Sequence, residues 1–385
     1  MGLKVLHISK YYYPFSGGTE QIARDVVLAL KEVPGCEQLI FAFDHNEPSS
    51  SEDSRDIVDD VPVIRCRCFT KIASQSLSAS YGKRLKAAFE EFNPDTVVFH
   101  YPNPFAAHYL LKILKDRPDV RLLTYWHLDI VKQKVLREFF KGQNKRLIER
   151  SDKLIATSPN YVEYSPWLST AKSKCVVVPN CIDENRLETN SEIEARAQEI
   201  RRDNEGKILC LAVGRHVEYK GFRYLIEASK KLDDRFVINI TGKGPLTDEL
   251  KSLAEGDKKV NFLGLVSDTE LRAQLMACDI FCFPSITKNE AFGLALAEGM
   301  FYGKPAVTFT IKGSGVNYVS PDHVTGLECP NSNSDAYARA MTELADSEDL
   351  RRLYGDAARR RVEENFTFAE FKHNIVRLIA PEAWA

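Results

Sequence analysis

Four stretches in the second half of this 385-residue chain combine cations, glycines and carboxylates in a pattern suited to handling a diphosphate. In Val213-Gly214-Arg215-His216-Val217-Glu218-Tyr219-Lys220-Gly221 an apolar run ends in Gly, with an Arg and a Lys five residues apart. Two such cations can grip two phosphates, Arg as a bidentate fork and Lys as a point charge. Thr241-Gly242-Lys243-Gly244-Pro245 reads as a strand-to-loop turn whose glycines allow close backbone approach to a planar group such as a base. In the stretch from Phe283 to Met300, Glu290 falls in a loop and Glu298 about two turns into a helix beginning near Phe292. The free N–H groups around Phe292, Gly293 and Leu294 would then point at the loop mouth, a site for phosphate. Glu298 lies among Leu294, Leu296, Ala297 and Met300, and a carboxylate in apolar surroundings requires donors such as ribose hydroxyls. Thr325-Gly326-Leu327 completes the set. Taken singly, each piece has a plainer reading as surface charge, an ordinary turn or a helical Glu.

The elements that must position these residues alternate regularly. Lys4 to Ser9 is a short apolar run, followed by a loop ending in Gly17-Gly18 and by Thr19 to Lys31, whose Ile22, Val26, Val27 and Leu30 recur at helical spacing. Apolar runs at 38–43, 61–66, 95–100, 121–126 and 154–157 continue the rhythm, and a second series starts at Ile208. This predicts an α/β protein of two Rossmann-like domains facing across a cleft, because open parallel sheets bind ligands at the carboxyl ends of their strands. The expected divisions are residues 1–182, 183–360 and a C-terminal segment 361–385. Asp44 to Asp60 and Thr70 to Ser80 lack apolar residues to bury and read as mobile loops. Asp346 to Ala380 reads as helix throughout, with Arg351, Arg352, Arg359, Arg360 and Arg361 on a solvated face.

Composition narrows the class. With 44% apolar and 28% charged residues, the chain has enough apolar mass for two cores and excludes disordered and fibrous proteins. A net charge of −2, divided as +4 through Lys174 and −6 beyond, is far from the basic surface of a nucleic-acid binder. Nine cysteines without repeated pair spacing read as reduced thiols of a cytoplasmic protein. Cys66-Arg-Cys68 and Cys278-x-x-x-Cys282 lack the further ligands of a zinc site. Neither a signal peptide nor a run of about 20 apolar residues is present.

In order and spacing, Gly-Arg215 with Lys220-Gly, Gly-x-Gly-Pro, Phe-Pro-Ser followed by Glu290 and Glu298, and Thr-Gly-Leu resemble family 4 of the retaining glycosyltransferases, which have the GT-B fold. Gly17-Gly18, His127 in Trp126-His-Leu-Asp129, and Val178-Pro-Asn-Cys-Ile-Asp183 match further family positions. Cys181 stands where the family usually has Gly, and Gly299 where it usually has Ala.

The resemblance implies that Arg215 and Lys220 hold the donor diphosphate and stabilise it as a leaving group. It implies that Glu298 binds the ribose and Glu290 the hydroxyls of the transferred sugar. Gly17 and Gly18 would lie against phosphate, Gly242 and Gly244 against the nucleotide, and His127 against the donor sugar from the opposite domain. The last helix would cross back onto the first domain. No cofactor or metal is implied beyond the nucleotide sugar; Asp-x-Asp, which holds the cation in the other main transferase architecture, occurs nowhere. GDP-mannose is favoured as donor on Tyr101-Pro-Asn-Pro104 and Trp126 to Gln133, which are similar to members that build bacterial surface polysaccharides, while UDP-hexoses stay open. A nicotinamide dehydrogenase is disfavoured by the lack of G-x-G-x-x-G in the first turn. A nucleotide-sugar epimerase, a phosphorylase and a non-catalytic sugar-nucleotide-binding protein share the architecture. Tyr11, Tyr12, Tyr13 and Asp129 are the candidate acceptor contacts. The basic, amphipathic stretch Lys132 to Arg150 either packs on its own domain or rests on anionic lipid, which would place a lipid-linked saccharide acceptor at the inner face of the cell membrane.

Overall fold

The structure is a computed structural model that describes residues 2–15, 17–44, 53–72, 75–129 and 140–384. The chain divides into two units, Met1–Val178 with Phe371–Ala385, and Pro179–Glu370.

The first unit contains strands β1 (Leu3–Ile8), β2 (Cys36–Phe43), β3 (Ser54–Val58), β4 (Val61–Cys66), β5 (Thr70–Ile72), β6 (Gln75–Leu77), β7 (Thr96–Tyr101), β8 (Arg121–Trp126), β9 (Lys153–Ala156) and β10 (Cys175–Val177). Its described helices are α1 (Gly18–Lys31), α2 (Tyr81–Phe92), α3 (Pro104–Leu114), α4 (Lys141–Arg150) and α5 (Pro159–Tyr164). Eight strands form one sheet in the order β10-β9-β8-β7-β1-β2-β4-β3, parallel except for β3. Val97, Val98, Phe99 and Tyr101 of the central β7 are fully buried, as a strand covered on both faces requires. The strand order reverses between β1 and β7, so the loop ending at Gly17-Gly18 leaves the sheet at a topological switch point.

The second unit contains β11 (Ile208–Val213), β12 (Phe236–Thr241), β13 (Val260–Gly264), β14 (Ile280–Phe283), β15 (Ala306–Phe309) and β16 (Gly326–Cys329). Its helices are α6 (Glu184–Leu187), α7 (Ser191–Asp203), α8 (Phe222–Ser229), α9 (Thr247–Leu253), α10 (Asp268–Ala277), α11 (Leu294–Phe301), α12 (Val316–Val319), α13 (Ser334–Asp346), α14 (Glu348–Asn365) and the start of α15 (Phe368–Ile379). The six strands are all parallel in the order β13-β12-β11-β14-β15-β16. Here the order reverses between β11 and β14.

Several elements differ from the sequence expectation. Ser54–Val58, within the stretch read as a loop, is an edge strand antiparallel to β4. Its hairpin turns on Asp59 and Asp60, at φ 52° and 63°, the left-handed pair that joins strands of right-handed twist. Asp59 also takes a bidentate fork from Arg24 at 2.7 and 2.8 Å. A solvated edge needs turn chemistry rather than apolar payload, which is why hydrophobicity missed it. Within 70–80, β5 and β6 form a small antiparallel hairpin.

The helical tail breaks at Ser347 and again at Phe366-Thr367. Phe366 is fully buried with its ring against Phe292, and its carbonyl accepts from Ile182 N at 2.8 Å. That tertiary bond overrides local helix preference and ties 179–182 to the second unit, so this unit begins four residues before the expected boundary. Val362 and Phe366 belong to the second core, so the chain returns to the first unit only at Phe371. There Arg121 donates to the carbonyls of Leu378 and Ile379, which anchors the end of α15. The arginine row is not uniformly solvated either: Arg351 caps the carbonyls of Leu344 and Ala345, and Arg361 those of Tyr318 and Val319. All nine cysteines are free thiols, seven of them buried.

Candidate functional site

In the second sheet, the predicted residues converge on the switch point between β11 and β14. The loop after β11 closes with a turn at Glu218–Lys220 and then Gly221, at φ 64°. A Cβ on Gly221 would lie 2.0 Å from the carbonyl oxygen of Pro284, so only glycine lets this loop lie against the one after β14. Ile286 N donates to Tyr219 O at 2.9 Å across the same contact. This brings Lys220 Nζ to 2.5 Å from Glu290 Oε2, with both side chains nearly buried. Ser285 Oγ donates to the same oxygen at 3.0 Å. Behind Glu290, Ser314 Oγ donates to its carbonyl and Gly315 N to Ala291 O, fixing the loop from the β15 side. Lys220 has three donors and spends one on Glu290, so it can take a phosphate oxygen as well.

Arg215 is exposed and makes no side-chain hydrogen bond or ion pair with the described residues. Lys243, which the sequence reading passed over within Gly-x-Gly-Pro, is a further exposed cation at the end of the neighbouring β12. Its position between two glycines at a strand end was the available signal. The glycines there are explained by the protein itself: a Cβ on Gly242 would lie 2.0 Å from Gly214 O, and one on Gly244 2.3 Å from His216 O. They pack two loops together, a requirement independent of any base.

Gly293, at φ 95°, starts α11, whose first-turn amides receive no side-chain cap. Leu294 is half-buried and Phe292 is a core residue against Phe366. Glu298 is the fifth residue of α11, one turn in rather than two. Its need for donors is already met in part by Arg186 of α6, which binds Oε1. Burial pushes the Glu298 carboxyl above the usual carboxylate range and Arg186 opposes that shift. Gly299 is accounted for by packing: a Cβ there would meet the Phe281 ring at 2.6 Å. Cys181 is buried and is not among the left-handed residues, so the turn where the family has Gly requires none here.

In the first unit, Gly17 precedes α1 in extended backbone, and a Cβ on it would strike the Glu20 carboxylate at 2.4 Å. A Cβ on Gly18 would meet nothing within 4 Å among the described residues, so packing against them does not explain that glycine. His127 follows β8, stacks on Tyr125, and shares a 3.0 Å hydrogen bond between its Nε2 and His100 Nδ1. Burial pushes its imidazole down to about 3, so it is neutral near pH 7.

Two of the acceptor candidates are structural. Tyr12 is fully buried in a cluster with Val27, Ile40 and Val63 and presents no face to a ligand. Asp129 is buried and accepts from Trp126 Nε1 at 3.0 Å and Ser165 Oγ at 2.9 Å, so its carboxylate braces its own loop. Tyr11 is nearly buried, with its hydroxyl 2.7 Å from Ser76 Oγ. Tyr13 alone of the three is exposed, with Arg24 over its ring at 4.4 Å. Of the basic stretch, 132–139 lies outside the described residues. In α4, Leu147, Ile148, Gln143 and Asn144 are buried, while Lys141, Lys145 and Arg146 are exposed. No helix among the described residues is long and apolar enough to cross a membrane, and none of their His, Cys, Asp and Glu residues group in threes or more to hold a metal ion.

Comparison with known proteins bears on this geometry. Residues 194–361 match the family model Glycosyl transferases group 1, and residues 16–186 match Glycosyltransferase Family 4. O-antigen chain mannosyltransferase C of Escherichia coli is 33% identical over 369 residues, 95% of each chain. D-rhamnosyltransferase WbpZ of Pseudomonas aeruginosa is 32% identical over 375 residues, covering 95% of this chain and 92% of that one. Among solved structures, sucrose-phosphate synthase from Thermosynechococcus elongatus aligns over 99% of both chains at a TM-score of 0.79 and 18% identity. Anabaena HepE in complex with UDP and glucose aligns over 98% of this chain and 99% of that one, at a TM-score of 0.76 and 17% identity.

Proposed function

The chain belongs to the glycosyltransferases of family 4, with a GT-B fold of two Rossmann-like domains, and from that premise we propose that it moves a hexose from a nucleoside-diphosphate sugar to a saccharide or lipid-linked saccharide during surface polysaccharide synthesis. GDP-mannose is the favoured donor, supported by similarity to the E. coli mannosyltransferase. The observation that carries the site is the Lys220–Glu290 pair across the switch point of the second sheet, with the uncapped start of α11 and the exposed Arg215, which has no side-chain partner among the described residues, as its neighbours in the same loops.

Donor binding exchanges the internal pair for ligand contacts. Arg215 and Lys220 take oxygens of the diphosphate, Glu290 accepts from hydroxyls of the transferred sugar, and Glu298 accepts from the ribose. As the bond from the anomeric carbon to the diphosphate oxygen breaks, negative charge grows on that oxygen, and fixed cations stabilise it more than they stabilise the ground state. The acceptor hydroxyl attacks from the same face and delivers its proton to the departing phosphate oxygen, so configuration is retained and no protein nucleophile is needed. His127, kept neutral by burial, serves the sugar as a hydrogen-bond partner and not as an acid. The exposed basic face of α4 is the proposed contact for an anionic membrane. The test is a panel of nucleotide sugars scored by release of nucleoside diphosphate, with the anomeric configuration of the product read by NMR. GDP-mannose turnover with retention is expected; turnover confined to UDP-sugars would overturn the donor, and inversion would overturn the mechanism.

A further inference from the structure

Arg186 belongs to no motif singled out in the sequence, yet its side chain joins two acidic groups from different helices. One guanidinium nitrogen, Nη1, donates to Asp268 Oδ1 at 2.7 Å, and the other, Nη2, to Glu298 Oε1. Its backbone is held as firmly. Asp183 caps the Arg186 amide at 3.1 Å, and Arg272 of α10 donates to the carbonyls of Arg186 and Glu188 at 2.8 and 3.1 Å. Tyr302 Oη donates to Leu187 O at 2.8 Å, and Arg272 also pairs with Asp268 at 3.1 Å. Glu298, Arg186, Asp268 and Arg272 thus form a chain of alternating charge.

This chain claims only one oxygen of Glu298. Oε2 takes no hydrogen bond from the described residues. A nearly buried carboxylate left alone would either take up a proton or turn toward water; a guanidinium that binds Oε1 and is itself tied to Asp268 opposes the first and restrains the second. We infer that Arg186 is a positioning residue for the nucleotide, holding Glu298 by Oε1 so that its remaining oxygen is free to accept from the ribose hydroxyls. The inference rests on the reading of Glu298 as the ribose contact.

Calorimetric titration of the full chain with GDP, UDP, their 2′-deoxy forms and inorganic pyrophosphate separates the two. The wild type is expected to prefer the ribose form of its nucleotide by about tenfold, the scale of one hydrogen bond to a charged group. Glu298→Gln and Arg186→Met should both bring that ratio close to one and leave pyrophosphate binding unchanged. Arg186→Lys, which keeps the charge and cannot span both carboxylates, should fold even if the Met variant does not, and should lose part of the preference. If Glu298→Gln erases the preference while both Arg186 variants keep it, or if they weaken every ligand equally, the positioning role is overturned alone. If Glu298→Gln keeps the preference, the ribose reading falls and this inference falls with it.

Discussion

Lowering the pH should unfold the first unit ahead of what surface charge would produce, because three imidazoles are buried there in neutral form. His7, on β1, is pushed down to about 4 and His127 to about 3, both by burial, and His100 between them is also lowered by burial. In the unfolded chain each would titrate at about 6.5. Below that value the unfolded state binds more protons than the folded one, so stability falls as pH falls, and stops falling only near the folded values. Between pH 7 and pH 5 the loss integrates to about 2 kcal/mol each for His7 and His127, about 4 kcal/mol for the two, and the burial of His100 adds to it in the same direction. Trp126, Trp167 and Trp384 all lie in the first unit, so urea unfolding followed by tryptophan fluorescence reads this unit selectively. His127→Gln leaves His100 a hydrogen-bonding partner and removes one titrating ring, so its loss over the same interval should be about 2 kcal/mol smaller than that of the wild type. An equal loss in the two proteins would mean that His127 takes up its proton while folded, and would refute both its burial and its assignment as a neutral partner.

Replacing Lys220 by Met or Glu290 by Gln should lower turnover by about a hundredfold or more while far-UV circular dichroism stays native; retained activity in either would remove the Lys220–Glu290 pair from the site. Lys220→Met should also lower the melting temperature, since it leaves the Glu290 carboxylate nearly buried without its cation. Gly299→Ala should cost about 1–3 kcal/mol in a denaturant titration, because its Cβ would overlap the Phe281 ring; a neutral result would show that the ring can move aside.

Alternating apolar runs and amphipathic stretches were enough to read two parallel α/β domains, because a strand covered on both faces must be continuously apolar and its crossover helix must not. The spacing of short motifs was enough to place Arg215, Lys220 and Glu290 in strand-end loops that such a sheet brings to one edge. Tertiary structure decided what those side chains do with one another. Glu290 is already neutralised by Lys220, Glu298 is held by an Arg from more than a hundred residues away, and Gly242 and Gly244 are glycines because neighbouring loops touch them. Burial depends on which elements meet, and no local pattern carries it. That is why Tyr11, Tyr12 and Tyr13, adjacent and identical in type, fall into a hydrogen-bonded wall, a core and an exposed surface respectively. The break in the tail at Phe366 has the same origin. Its helix preference was legible in the residues, but the carbonyl that Ile182 claims became visible only once the chain had folded back on itself.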